Sequence, residues 1–266
     1  PGDVIIDTTA GTITTAADRS AGIYFTGRVG YVFESDYYIA GYVDAADFTL
    51  RSGAISTSGD LSSAIVVNGG AVVDIDTTAG TITTTGDGSG GVVIFGDRNF
   101  AENVSDSVSV TTGVLTTSGN SAFGVGHYVY AGLLNQEGKY SLPAFPDVPT
   151  VMNLNGVIIA SGANSGGVVS LQAGVTAPIT INANAGITAR GQNSVGGAAG
   201  SYDGSVEINV AQNVVIEGGW SATPDDLSPG YSDTKINQTG FQQYVGSYGG
   251  VGGGLPAAGV VLWSGA

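Results

Sequence analysis

The chain has 266 residues and a formal net charge of −15 at pH 7, from 22 Asp and Glu against 7 Lys and Arg. That balance excludes a nucleic-acid binder, which needs basic side chains to neutralise phosphates, and argues against adhesion to an anionic bilayer. The absence of Cys excludes a disulfide framework, thiolate chemistry and thiolate-ligated zinc.

A mean hydropathy of +0.22 supplies enough apolar surface to offset chain entropy, so an ordered fold is expected. No apolar run approaches the roughly 20 residues of a membrane-spanning helix, and no membrane insertion is expected. Glycine contributes 45 residues, more than twice the ordinary usage of about 7%, without the three-residue period of collagen. No signal peptide is read at Pro1, and the chain is expected to be a mature product or a piece of something longer.

The first element in chain order is the phrase Gly-Thr-Ile-Thr-Thr-Ala-Ala-Asp from Gly11, followed by the apolar stretch Ile23-Tyr24-Phe25. The phrase returns from Gly53 (Gly-Ala-Ile-Ser-Thr-Ser-Gly-Asp), Gly80 (Gly-Thr-Ile-Thr-Thr-Thr-Gly-Asp) and Gly113 (Gly-Val-Leu-Thr-Thr-Ser-Gly-Asn). Weaker copies start at Gly156 and Ala185, and a faint seventh spans Asn213 to Gly219. With Ile13, Ile55, Ile82, Leu115, Ile158, Ile187 and Val215 as markers, the steps are 42, 27, 33, 43, 29 and 28 residues. A phrase returning at such intervals signifies stacked structural units, with insertions in the long steps.

Each unit carries two further apolar stretches. Before the phrase comes a two-residue alternation, as in Val73-Asp74-Ile75-Asp76, Val108-Ser109-Val110, Met152-Asn153-Leu154-Asn155, Ile179-Thr180-Ile181-Asn182 and Val206-Glu207-Ile208-Asn209-Val210. After it come Ile65-Val66-Val67, Val92-Val93-Ile94 and Val168-Val169-Ser170-Leu171. Alternation of β-branched residues bounded by Gly, Asn and Asp is a strand signal. Three strands per unit without helices predict an all-β fold, a right-handed parallel β-helix (solenoid) with loop insertions. The marker column and the column two residues on (Thr15, Thr57, Thr84, Thr117, Ala160, Ala189) are expected to point inward, each Thr hydroxyl bonding to the Thr of the next coil. Gly59, Gly86 and Gly119 are expected at corners that need φ > 0.

Three insertions interrupt the units. Residues 28–46 carry Tyr31, Phe33, Tyr37, Tyr38 and Tyr42; residues 129–149 carry Pro143, Pro146 and Pro149; residues 221–244 carry Asp225, Asp226 and Pro229. The Gly-rich tail from Gly246 to Ala266 reads as a terminal coil. One domain over 1–266 is expected, with clear repeats over about 4–220.

The phrase with its sequel, as in Gly80-Thr-Ile-Thr-Thr-Thr-Gly-Asp-Gly-Ser-Gly-Gly-Val92, resembles the passenger domains of bacterial autotransporters. Two-partner-secreted haemagglutinins have similar repeats. The resemblance covers roughly residues 4 to 220. It implies a secreted or cell-surface β-helix, carried at the outer membrane of a Gram-negative bacterium, that serves as an adhesin or structural stalk. Host or matrix glycans or proteins, or copies of the chain itself, are the partners it implies.

The chemistry is sparse. His127 is the only histidine, so a multi-His metal site is impossible, and no Gly-x-Ser-x-Gly elbow in a strand-turn-helix context accompanies it. Asp74 and Asp76 point the same way from a strand, and Asp225-Asp226 is a second carboxylate pair. Either pair is a candidate for a polysaccharide-degrading β-helix enzyme, the rival reading. Asp76 is read as aligned with Asn155 and Asn182 on a solvated face. The run 86–91 is read as corner turns rather than a calcium repeat. An ice-ordering face would need two regular Thr columns, and of columns 14/56/83/116/159/188 and 12/54/81/114/157/186 only the first is regular. The aromatic insertion, through Tyr31, Tyr37, Tyr38 and Tyr42, is the binding candidate, since such rings stack on sugars and anchor interfaces. No catalytic residue, metal site or cofactor is assigned. A subunit of a surface filament or layer is a further reading, because open coil ends invite strand pairing.

Overall fold

β-branched residues alternating with polar ones give strands throughout, and no helix occurs among the described residues. The computed structural model of the chain describes residues 3–27, 46–69, 72–97, 107–130, 149–173, 178–201, 205–218, 234–238, 241–245 and 258–264.

The strands come three to a coil. The first coil is β1 (Val4–Asp7), β2 (Thr12–Thr15) and β3 (Ile23–Thr26); the second is β4 (Phe48–Arg51), β5 (Ala54–Ser58) and β6 (Ile65–Asn68). The third is β7 (Val72–Asp76), β8 (Ile82–Thr85) and β9 (Val92–Asp97); the fourth is β10 (Ser107–Thr112), β11 (Leu115–Ser118) and β12 (Phe123–Tyr130). The fifth is β13 (Thr150–Leu154), β14 (Ile158–Ser161) and β15 (Gly166–Ala173); the sixth is β16 (Ile179–Ala183), β17 (Ile187–Arg190) and β18 (Val195–Ser201). Then come β19 (Val206–Val210), β20 (Ile216–Glu217), β21 (Thr234–Gln238), β22 (Phe241–Val245) and β23 (Ala258–Ser264).

Corresponding strands of successive coils pair in parallel. Sheet A runs from β1 through every third strand to β19, and sheet B likewise from β2 to β20. Sheet C runs from β3 to β18 and continues through β23, β22 and β21. Among the described strands only β21 with β22 is antiparallel. This is the parallel β-helix that the repeats predict. The segment 221–244, read as an insertion, contains β21 and most of β22; β23 joins sheet C as a terminal coil would.

Register follows the phrase. Ile13, Ile55, Ile82, Leu115, Ile158 and Ile187 stand one above another in sheet B. The seventh member is Ile216, not Val215. A one-residue shift exchanges the two faces of a strand, and here it puts Val215 at 53% exposure and Ile216 at 5%. In sheet A the column of Asp76 continues through Thr111, Asn153, Asn182 and Asn209, so Asn153 rather than Asn155 is the aligned residue. Asn182 donates to Asn153 at 2.8 Å and Asn209 to Asn182 at 3.0 Å, forming an amide ladder.

The core lies between the three sheets, with Phe48, Leu50, Ile55, Ile75, Ile82 and Leu115 among its fully buried side chains. Burying each such side chain is worth about 1.5–3 kcal/mol. Phe25 and Phe48 stack at 4.3 Å between ring centroids. The inward Thr column is buried at Thr57, Thr84 and Thr117 and half-buried at Thr15, but its hydroxyls do not bond from coil to coil, and that of Thr117 has no protein partner. Thr15 Oγ1 donates to Ser20 O at 2.9 Å, Thr57 Oγ1 to Ser62 O at 2.5 Å and Thr84 Oγ1 to Ser89 O at 3.3 Å. The reason is proximity: the chain turns back at the B–C corner and brings a carbonyl five residues on within reach of the same coil's Thr.

That corner explains the Gly-Asp pair. Gly59, Gly86, Gly119, Gly162 and Gly191 have φ between +123° and +141°. Each Asp then reaches the next coil: Asp18 Oδ1 accepts from Asp60 N, Asp60 Oδ1 from Asp87 N, and Asp87 Oδ1 from Asn120 N, at 2.8–2.9 Å. Two residues after the corner residue (Ala17 in the first coil, Gly in the others) a left-handed position recurs, held by Arg19, Leu61, Gly88, Ser121, Asn164 and Asn193 with φ of +55° to +68°. Leu61 carries a Cβ that crowds the carbonyl and, unlike Asn, no short polar side chain to hydrogen-bond locally in this conformation. Leu61→Gly is therefore expected to raise stability by about 1 kcal/mol, read as a higher urea midpoint. An unchanged or lower midpoint would show that Leu61 contributes more by packing over Gly88 than it loses in backbone strain.

Candidate functional site

The three outer faces differ in chemistry. On sheet A, Arg51 sits in one column between Asp7 and Asp76. Its Nη2 donates to Asp74 Oδ2 at 2.7 Å, and its Nε lies 4.0 Å from Asp76 Oδ2. The hydrogen bond to Asp74, then the charges of Asp74, Asp76 and Asp7, hold the guanidinium pKa above its ordinary value. Asp7 and Asp76 also accept from the backbone N–H and hydroxyl of Thr9 and Thr78 at 2.7–2.9 Å, closing the A–B corner in both coils. In Asp7 the Thr9 bonds lower the carboxyl pKa. Asp74 and Asp76 thus do share a face, as the sequence predicts, but they close on a cation rather than on open space. Each keeps about a third of its surface in water, so the pair contributes little stability.

On sheet B two outer columns are small and mostly hydroxylic, while a third, through Thr12, Ala54, Thr81, Val114, Val157 and Gly186, exposes Val114 and Val157. Thr14, Ser56, Thr83, Thr116, Ile159 and Thr188 form one, and Ser58, Thr85, Ser118 and Ser161 lie beside it on the following corner. The run 86–91 forms turns, with Gly86 and Gly88 both left-handed.

Sheet C differs from both. Tyr24 is 61% exposed and Phe95 43% exposed. Phe95 and Tyr128, on neighbouring strands, stack at 5.9 Å between centroids, and Phe123 meets Tyr128 edge-on at 6.2 Å. Tyr128 lies over Gly126, where an added Cβ would fall 2.9 Å from the ring. Beside them Val169, Val195 and Ala198 form a small apolar cluster outside the main core. Sheet C therefore presents an aromatic face. Sequence reading by inward columns passed over it; the available signal was the aromatic at the outward position of coils one, three and four.

His127 points the other way, into the core. It occupies the inward column of Phe25, Val67 and Ile94 and is fully buried. Its Nδ1 lies 3.0 Å from Ser170 Oγ, its register partner. Desolvation pulls its pKa down to about 4. The imidazole is thus neutral and out of reach of solvent. Gln172 and Ser170, which keep it company, were not singled out by sequence.

Tyr31, Tyr37, Tyr38, Tyr42 and the pair Asp225-Asp226 lie outside the described residues. Among the described residues no group of three or more His, Cys, Asp or Glu is placed to hold a metal ion, and no helix is long and apolar enough to cross a membrane. No family model matches the chain, and no curated protein or solved structure matches it either.

Proposed function

We propose that this chain is a non-catalytic, secreted or cell-surface β-helix of the autotransporter-passenger kind, a stiff stalk that adheres through the outer face of sheet C. The observation that carries the reading is the contrast between faces. Sheets A and B turn ion pairs, amide ladders and hydroxyls to solvent with aliphatic residues such as Ile5, Val151, Val114 and Val157 among them, whereas among the described residues the outward aromatic rings, Tyr24, Phe95 and Tyr128, stand on sheet C. Aromatic rings held on a rigid sheet are suited to stacking on sugar rings or to anchoring a protein contact. The stiffness comes from coil stacking, in which the backbone ladders are reinforced at each corner by side chains reaching the next coil. Partners of this reading are host or matrix glycans or proteins, or copies of the chain, at the surface of a Gram-negative bacterium.

The test is adhesion of the chain on beads to panels of glycans and matrix proteins. Beads carrying the chain should be retained on at least one class, and the Tyr24→Ala/Phe95→Ala variant should lose about tenfold in affinity, the value of one well-packed aromatic anchor. Retention that is unchanged in the variant would remove sheet C from the account, and no retention on any panel would count against adhesion.

A further inference from the structure

His127 on β12 and Gln172 on β15 face the interior from neighbouring strands of sheet C. Gln172 stands two residues beyond Ser170, the register partner of His127, and so on the same side of its strand. Strand spacing and rise put the two Cα atoms about 8 Å apart. Both side chains are completely buried, and each is anchored at one end. Ser170 Oγ lies 3.0 Å from His127 Nδ1, and Gln172 Nε2 donates to Thr150 Oγ1 at 2.7 Å. At the other end each has a buried atom without a protein partner: His127 Nε2 and Gln172 Oε1.

The two orphaned atoms are complementary. When the Ser170 hydroxyl donates to Nδ1, the single proton of the neutral imidazole resides on Nε2, which becomes a donor. With Gln172 Nε2 donating to Thr150 Oγ1, Gln172 Oε1 is left as an acceptor. No Asp, Glu, Lys or Arg is among the buried residues of the described core that could serve either atom instead. Buried polar atoms left unpaired are rare, and a water with two or more polar partners is their usual complement. We propose that one internal water bridges His127 Nε2–H and Gln172 Oε1, accepting from the first and donating to the second. The bridge joins coils four and five where the chain leaves β12 at Tyr130 and resumes at Thr150, itself tied to Gln172.

The chain has one histidine, so its imidazole nitrogens can be read without assignment ambiguity. A long-range ¹H–¹⁵N spectrum of the labelled chain at pH 7.5 should show the Nε2–H tautomer. A water-selective NOESY should show a cross-peak from that proton to a long-lived water. Gln172→Leu should abolish the water cross-peak while the Nε2–H tautomer, set by Ser170, persists. An Nδ1–H tautomer in the unmodified chain, or an Nε2–H proton with no water cross-peak, would overturn the proposal. The unmodified chain decides this by itself, whatever Gln172→Leu does to folding.

Discussion

Gly119→Ala should cost about 3 kcal/mol or more, whereas Gly197→Ala should add about 1 kcal/mol. Gly119 has φ of +140°, a backbone that L side chains rarely adopt. A Cβ there would also fall 2.1 Å from the carbonyl oxygen of Gly86 in the coil below. That neighbour is backbone of the adjacent turn and cannot yield without opening the stack. The same contact recurs at Gly86, Gly162 and Gly191, each against the corner glycine of the preceding coil. Gly197 is the opposite case. It lies in the inward column of Ile65, Val92, Val125 and Val168, yet a Cβ added to it meets nothing within 4 Å. A methyl group there fills interior space and reduces the freedom of the unfolded chain. Chemical denaturation followed by circular dichroism checks both. Equal effects at the two glycines would mean that the corners do not stack as described.

Stability should fall by about 3 kcal/mol as pH drops from 6.5 to about 4, through His127 alone. The imidazole titrates at its ordinary 6.5 when unfolded and at about 4 when buried, because desolvation disfavours the charged form. Between those values the unfolded chain binds more protons than the folded one, so unfolding is favoured as acid is added. Above 6.5 both states are neutral and the group has no effect; below about 4 the loss is complete. The residues facing it across sheet C are Ile94 and Ser170, and the buried residues of the described core include no carboxylate to compensate the charge. Asp7, with its lowered carboxyl pKa, adds a loss of the same sign at lower pH as it protonates. In His127→Leu the slope between pH 6.5 and 4 should flatten. An unchanged slope would place the acid sensitivity elsewhere.

The architecture was legible in the repeats because stacking makes like residues neighbours. Ile at one position per coil, small residues two further on and a Gly-Asp corner each imply a column, and those columns are present. The errors came where the signal was local and weak. At Val214-Val215-Ile216 three apolar residues in a row leave the inward one undetermined, and the pairing with β17 selects Ile216. At Met152-Asn153-Leu154-Asn155 the corner length between sheets A and B, invisible in the alternation, decides which Asn joins the ladder. The Thr hydroxyls were assigned across coils because the sequence does not show that the chain folds back on itself at the corner. The aromatic face and the His127–Gln172 pair were missed because each depends on which residues of different coils share a column, on strands whose repeat is interrupted by insertions.

The claim on which everything else rests is parallel stacking in this register, and the Cys-free chain allows a direct test by paired substitution. Thr83 and Thr116 are register partners on β8 and β11, 33 residues apart in sequence. Their Cα atoms are about 4.8 Å apart by strand spacing, within the span of a disulfide. Thr83 and Thr188 share the same outward column but are three coils apart, about 14 Å. Under mild oxidation the Thr83→Cys/Thr116→Cys chain should form an intramolecular disulfide in near-complete yield, and the Thr83→Cys/Thr188→Cys chain should not. Failure of the first pair, or equal cross-linking of the second, would contradict the stacked coil.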